Sequence, residues 1–161
     1  MEKMEKARKI VLTGLFAAVA VLLSGVHFPV GPIKAFPFQH MVNALAGVLI
    51  GPWYAAISAL IAGLIRNAMG TGTIFAFPGG IPGAIIVGLA FCWIRRDWAA
   101  LMEPVGTVLI GVPLTVFLIG PIIGKELALA FFFTAFAASS IPGSVIGYLL
   151  LKTLKRAKVI K

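Results

Sequence analysis

The stretch Ala35-Phe36-Pro37-Phe38-Gln39-His40-Met41-Val42-Asn43 sets aromatic, proline and uncharged hydrogen-bonding side chains at the start of an apolar run. On a helix, residues three and four positions apart share a face, so Gln39, His40 and Asn43 crowd one side of its mouth. Amides and an imidazole supply donors and acceptors without fixed charge, which suits holding a small polar molecule. Arg66-Asn67 closes another apolar run. An arginine inside a span costs about 2.5–3.5 kcal/mol near its centre on insertion scales. Arg66 therefore either reaches the headgroups or faces a polar cavity, and the nearby amides favour the cavity. Phe36, Phe38, Phe75 and Phe77 lie around prolines in two loops above it. Such aromatics either anchor the membrane interface or wall a site for a flat ring.

No catalytic constellation accompanies these groups. His27 and His40 have no carboxylate close in sequence, no His-Glu-x-x-His spacing occurs, and the Gly-x-x-x-x-Gly-Lys-[Ser/Thr] phosphate loop is absent. An enzyme, a metal site and a bound cofactor are therefore not expected. The lone Cys92 excludes an internal disulfide and reads as a small core residue of an apolar helix. Asp97 reads as solvated or paired locally. Glu103 reads as a carboxylate at the cytoplasmic interface, with a partner-helix contact or proton shuttling as the alternative.

The elements that must position these groups are membrane helices. Of 161 residues, 60% are hydrophobic and 12% charged, and the mean hydropathy is +1.05. Soluble domains carry about 25% charged residues, so the chain is an integral membrane protein with a single domain over residues 1–161. The net charge of +9 does not indicate nucleic acid. Lys3, Lys6, Arg8 and Lys9 flank the first apolar run, and Lys152, Lys155, Arg156, Lys158 and Lys161 follow the last. Basic residues in such places mark cytoplasmic flanks.

An all-α bundle of six transmembrane helices follows, with N and C termini cytoplasmic: residues 10–26, 39–50, 54–68, 81–94, 98–119 and about 127–151. Residues 1–9 and 152–161 are basic cytoplasmic tails, and residues 27–37 and 71–80 are outer loops. Joining residues 41–65 into one kinked span would export Arg95 and Arg96. The hairpin reading about Gly51-Pro52 instead keeps 11 of the 14 basic residues inside. Residues 127–138 form the first half of a long last helix or a re-entrant piece. Gly14 and Ala18, then Ala20 and Ser24, are small pairs four apart in the first span. That spacing allows close helix approach and is equally common as filler. The segment Gly79-Gly80-Ile81-Pro82-Gly83 is echoed by Ser139-Ser140-Ile141-Pro142-Gly143.

The segments Lys34-Ala-Phe-Pro-Phe-Gln-His-Met-Val-Asn43, Leu49-Ile-Gly-Pro-Trp-Tyr54, Leu64-Ile-Arg-Asn-Ala-Met-Gly-Thr-Gly-Thr73 and Phe75-Ala-Phe-Pro-Gly79 resemble the ThiW family. These are substrate-capturing S components of energy-coupling factor (ECF) importers, assigned to the thiazole precursor of thiamine. The resemblance implies an S-component-like bundle in the cell membrane that binds hydroxyethylthiazole from outside. It also implies partners: a transmembrane coupling protein and two cytoplasmic ATPases, which use the ATP. Gly14 and Ala18 would contact the coupling protein. Phe36, Phe38, Phe75 or Phe77 would stack on the ring, Gln39, His40, Asn43 and Asn67 would hydrogen-bond it, and Arg66 would order the site. A self-sufficient carrier, proton-coupled through Glu103 or His40, is the alternative from the residues alone. A small membrane enzyme or an assembly factor is a further one.

Overall fold

Proline and glycine punctuate the apolar runs, and six helices form between them. The computed structural model describes residues 2–31 and 33–160; Met1, Pro32 and Lys161, which the expected tails and first loop included, lie outside the described residues. Helix α1 covers Glu2–Leu22, α2 Pro37–Ile50, α3 Pro52–Ala68, α4 Ala76–Ile94, α5 Asp97–Ile122 and α6 Leu129–Arg156. The expected helix count is met, and residues 129–156 form one long helix that runs through Pro142.

Several boundaries differ from the expectation. Most of the basic N-terminal tail is helical, with Lys9 paired to Glu5 one turn back at 3.1 Å. The first loop contains a small antiparallel hairpin, β1 (Phe28–Val30) with β2 (Ile33–Ala35), in which Phe28 faces Ala35 and Val30 faces Ile33. Gly31 supplies the positive φ of +57° that its turn requires. Helix α4 begins at Ala76, so Phe77 is helical and not in a loop. Cys92 is exposed and not a core residue. Asp97 pairs across the fold with Lys155 at 2.7 Å, not locally.

Among the described residues, four helices are long and apolar enough to cross a membrane: α1, α4, α5 and α6. Helix α2 is shorter, with 14 residues, or about 21 Å at the 1.5 Å rise of an α-helix. A hydrocarbon core is about 30 Å thick. Helix α2 is nonetheless the most enclosed element, because glycines on it and on its neighbours let the backbones close together. A Cβ at Gly143 of α6 would strike the Pro37 carbonyl, one at Gly147 would lie 2.9 Å from Ala44, and one at Gly47 would overlap Val87 of α4. Around it lies an apolar core that includes Ala17 and Ala20 of α1, Val42 and Leu45 of α2, and Leu151 of α6.

Helix α5 is irregular. Asp97–Met102 winds as a 3-10 stretch, while Val105–Gly111 and Leu114–Ile119 are π-helical. Pro113 follows the first widened segment; a proline ring clashes with the carbonyl one turn back, and a wider turn there relieves that clash. The 3-10 stretch rises about 2.0 Å per residue and carries Glu103 roughly 12 Å along the helix. This is why Glu103 is buried at 0% exposure and not at an interface as expected.

The helix ends sort by charge. Tyr54 at the start of α3 lies beside Glu5, Lys6 and Lys9 of α1, Gly88 of α4 abuts Pro52, and Asp97 reaches Lys155. One end of the bundle thus gathers the start of α1, the α2–α3 turn, the end of α4, the start of α5 and the end of α6. Trp53, Trp93 and Trp98 are all exposed at this end, the distribution that aromatic residues take at a membrane interface. The hairpin and the α3–α4 connection occupy the opposite end.

Candidate functional site

Because α2 is short, its first turn stops beneath the hairpin, and a cavity of about 60 Å³ forms there. A single water needs roughly 10–15 Å³ on such a measure, so the space suits one small ring compound. Phe36, Phe75 and Phe136 give it aromatic walls, while Gln39, His40, Arg66 and Ser139 give it polar ones. Lys34 and Thr73 also line it. The aromatic side is braced from behind: Phe132 packs edge-on to Phe75 at 4.9 Å between centroids and to Phe136 at 5.8 Å. Such edge-to-face contacts favour fixed ring positions.

Arg66 organises one wall. It is 1% exposed, its Nη1 donates to Gln39 Oε1, and its guanidinium carbon lies 4.0 Å from the Phe36 ring centroid. The ring face partly stabilises the cation. Its Nε has no protein partner. The backbone carbonyl of Arg66 accepts from the amides of Thr71 and Gly72, both at 2.9 Å. Arg66 therefore shapes the α3–α4 connection as well as the cavity, and snorkelling to headgroups is not the arrangement adopted.

The roof is held by the Phe36 amide, which donates to Ser139 Oγ at 2.8 Å and ties the end of the hairpin to α6. Below the cavity lies a buried polar layer. His40 Nδ1 stands 2.7 Å from Glu103 Oε1. Asn43 Nδ2 donates to the Gly80 carbonyl at 3.1 Å and to the same carboxylate oxygen at 3.3 Å. The Thr107 hydroxyl lies 2.8 Å from both the Gly79 carbonyl and Glu103 Oε1, and its one hydrogen serves either. Gly83 leaves the space that this carboxylate fills, since a Cβ there would overlap it.

Among the anticipated site residues, Phe36, Gln39, His40, Arg66 and Phe75 line the cavity together. Asn43 sits in the layer beneath. Asn67 instead fastens the α3–α4 connection, donating to the carbonyls of Gly63 at 2.8 Å and Thr73 at 3.1 Å. Phe38 turns toward the apolar core. Phe77 packs on Gly63, where a Cβ would come within 2.9 Å of its ring, and lines a separate apolar groove with Ile81 and Leu114. Ser139 and Phe136 were not anticipated as site residues; the Ser139-Ser140 echo marked their neighbourhood without assigning a role. The absence of a carboxylate near His40 holds in sequence and fails in space.

On α1, Thr13, Ala17 and Ala20 face inward while Gly14 and Ala18 are exposed. Nothing lies within 4 Å of a Cβ built on Gly14. Ser24, of the second small pair, is buried.

No relative was found among curated proteins. A family model described as thiamine-precursor transporter protein (ThiW) matches residues 10–157, which include every helix that lines the cavity. The match covers nearly the whole sequence, so the chain belongs to the ThiW family of thiamine-precursor transporter proteins.

Proposed function

We propose that this chain is the substrate-capture subunit of an ATP-driven ECF importer and that it binds hydroxyethylthiazole. The observation that carries this reading is the cavity under the hairpin, where phenylalanine faces and a few amide, imidazole and guanidinium groups meet. A neutral heteroaromatic alcohol matches that lining: its flat ring stacks on Phe36, Phe75 or Phe136, and its ring nitrogen and hydroxyl meet Gln39, His40, Arg66 and Ser139. Asn43 and Asn67 act from behind, one under His40 and one on the α3–α4 connection. Phe38 and Phe77 belong to the packing around the site in this reading.

The basic, tryptophan-bearing end of the bundle is cytoplasmic by the positive-inside rule, which puts both termini inside and the cavity toward the outside of the cell membrane. The hairpin and the α3–α4 connection then form the entrance. The exposed Gly14–Ala18 face of α1 would receive the coupling protein, with two ATPases beneath it supplying the energy. Reorientation of the loaded subunit would release the thiazole inward.

Titration of purified protein with hydroxyethylthiazole tests the assignment of the site. Saturable binding that Asn43→Ala and Arg66→Ala both weaken supports it, and binding unaffected by either change refutes it. The buried His40–Glu103 contact also favours a second reading, a self-sufficient proton-coupled carrier. Uptake in cells lacking any ATPase partner, abolished by an uncoupler, would select that reading.

A further inference from the structure

Glu103 has three hydrogen-bonding neighbours on one carboxylate oxygen: His40 Nδ1 at 2.7 Å, Thr107 Oγ1 at 2.8 Å and Asn43 Nδ2 at 3.3 Å. It is fully buried, yet it does not line the cavity, whereas His40 does. The imidazole thus stands between the carboxylate and the cavity, with one nitrogen committed to Glu103 and Nε2 left for a ligand. A histidine ring nitrogen is a donor or an acceptor according to where the other nitrogen's partner places the proton.

The charges around the ring decide which. Arg66 of α3 is buried beside the same cavity and bonds a neutral amide, Gln39. Lys34 of β2 lines the cavity but is exposed. Helix α4 carries no charged residue, and α6 carries none before Lys152. Among the described residues, Glu103 is therefore the sole carboxylate in the cavity wall or the polar layer beneath it. Buried charges are tolerated when compensated. The amides of Gln39 and Asn43 and the backbone of Gly80 link Arg66 to Glu103. A carboxylate can only accept, so a neutral imidazole beside it carries its single proton on Nδ1 and keeps the Nε2 lone pair.

We infer that Glu103 is a positioning residue for ligand recognition: it holds the proton of His40 on Nδ1, so that Nε2 is the site's acceptor for a hydroxyl or N–H of the ligand. The inference rests on the proposed thiazole site and sharpens it. Arg66 is the donor that meets the ring nitrogen, His40 is the acceptor that meets the hydroxyl, and the site prefers the free alcohol to a thiazole lacking that hydroxyl.

Two measurements test this on the full-length protein. The first is nitrogen-15 NMR of protein labelled at histidine, which carries two reporters, His27 and His40, assigned with His27→Gln. The expected result at neutral pH is an Nδ1–H tautomer for His40, lost in the Glu103→Leu variant, which has no acceptor. An Nε2–H tautomer or an imidazolium in the unmodified protein overturns the inference. The second compares hydroxyethylthiazole with 4-methyl-5-ethylthiazole, which lacks the hydroxyl. Glu103→Leu is expected to weaken the alcohol by about tenfold, the scale of one hydrogen bond, and to leave the ethyl compound unchanged. Equal losses for both compounds would mean a merely structural role and also overturn it. If the unmodified protein binds neither compound, the thiazole assignment fails, and the tautomer measurement alone decides the role of Glu103.

Discussion

His40 and Glu103 stand 63 positions apart in the chain and meet with Nδ1 2.7 Å from Oε1, both buried. The contact joins the first turn of α2 to the residue that follows the 3-10 start of α5, and it places a carboxylate directly behind a cavity-lining imidazole.

Arg66 joins Gln39, the Phe36 ring and the α3–α4 connection in one side chain. Arg66→Ala should weaken thiazole binding about 10- to 100-fold, the range for losing a hydrogen bond to a charged group. Arg66→Lys should not restore it, because an ammonium lacks the planar fork that donates to an amide while lying over a ring. Equilibrium titration of the two variants gives both outcomes.

Gly83 packs against the Glu103 carboxylate and the Thr107 hydroxyl. Gly83→Ala should therefore destabilise the protein by about 1–3 kcal/mol, the usual cost of overpacking a close-packed interior. It should also lower the rise in melting temperature that ligand produces. Thermal melts with and without hydroxyethylthiazole separate the two effects.

Ser139 accepts the Phe36 amide and so holds the roof to α6. Ser139→Ala removes one neutral hydrogen bond, worth about 0.5–1.5 kcal/mol. Ligand dissociation should quicken by roughly two- to tenfold, with a smaller change in association. Stopped-flow measurement of both rates checks this.

Gly14 lies on the exposed face of α1 with open space around it. Gly14→Leu should leave the melting temperature and thiazole affinity as they are, since surface changes stay within about 0.5 kcal/mol. Uptake that depends on the coupling protein should fall strongly, because a bulky side chain prevents close helix approach. Unchanged uptake in whole cells would remove this face from the proposed interface.

Much of the framework was legible from composition and punctuation. Apolar runs, the Gly51-Pro52 break and the basic flanks gave six helices, because each depends on local chemistry: hydropathy, a proline that cannot continue a helix, and a glycine that takes a φ of +87°. The polar mouth of α2 was legible because helical spacing alone puts Gln39, His40 and Asn43 together. The hairpin was not read, since three-residue strands of Phe28–Val30 and Ile33–Ala35 carry too little alternation to register. Phe38 and Phe77 were grouped with Phe36 and Phe75 by motif likeness. Once both began helices, their directions were set by which face packed inward.

The sequence by itself determined that this is a membrane helix bundle of the ThiW family and that its polar residues gather at one helix mouth. Those properties follow from residue types and from neighbours within about one turn. The tertiary structure decided what the mouth is made of. Glu103 reaches His40 because the 3-10 start of α5 lifts it and Gly83 makes room. Ser139 and Phe136 join the cavity because Gly143 and Gly147 let α6 close on α2. These are contacts between segments far apart in the chain, and local spacing holds no record of them.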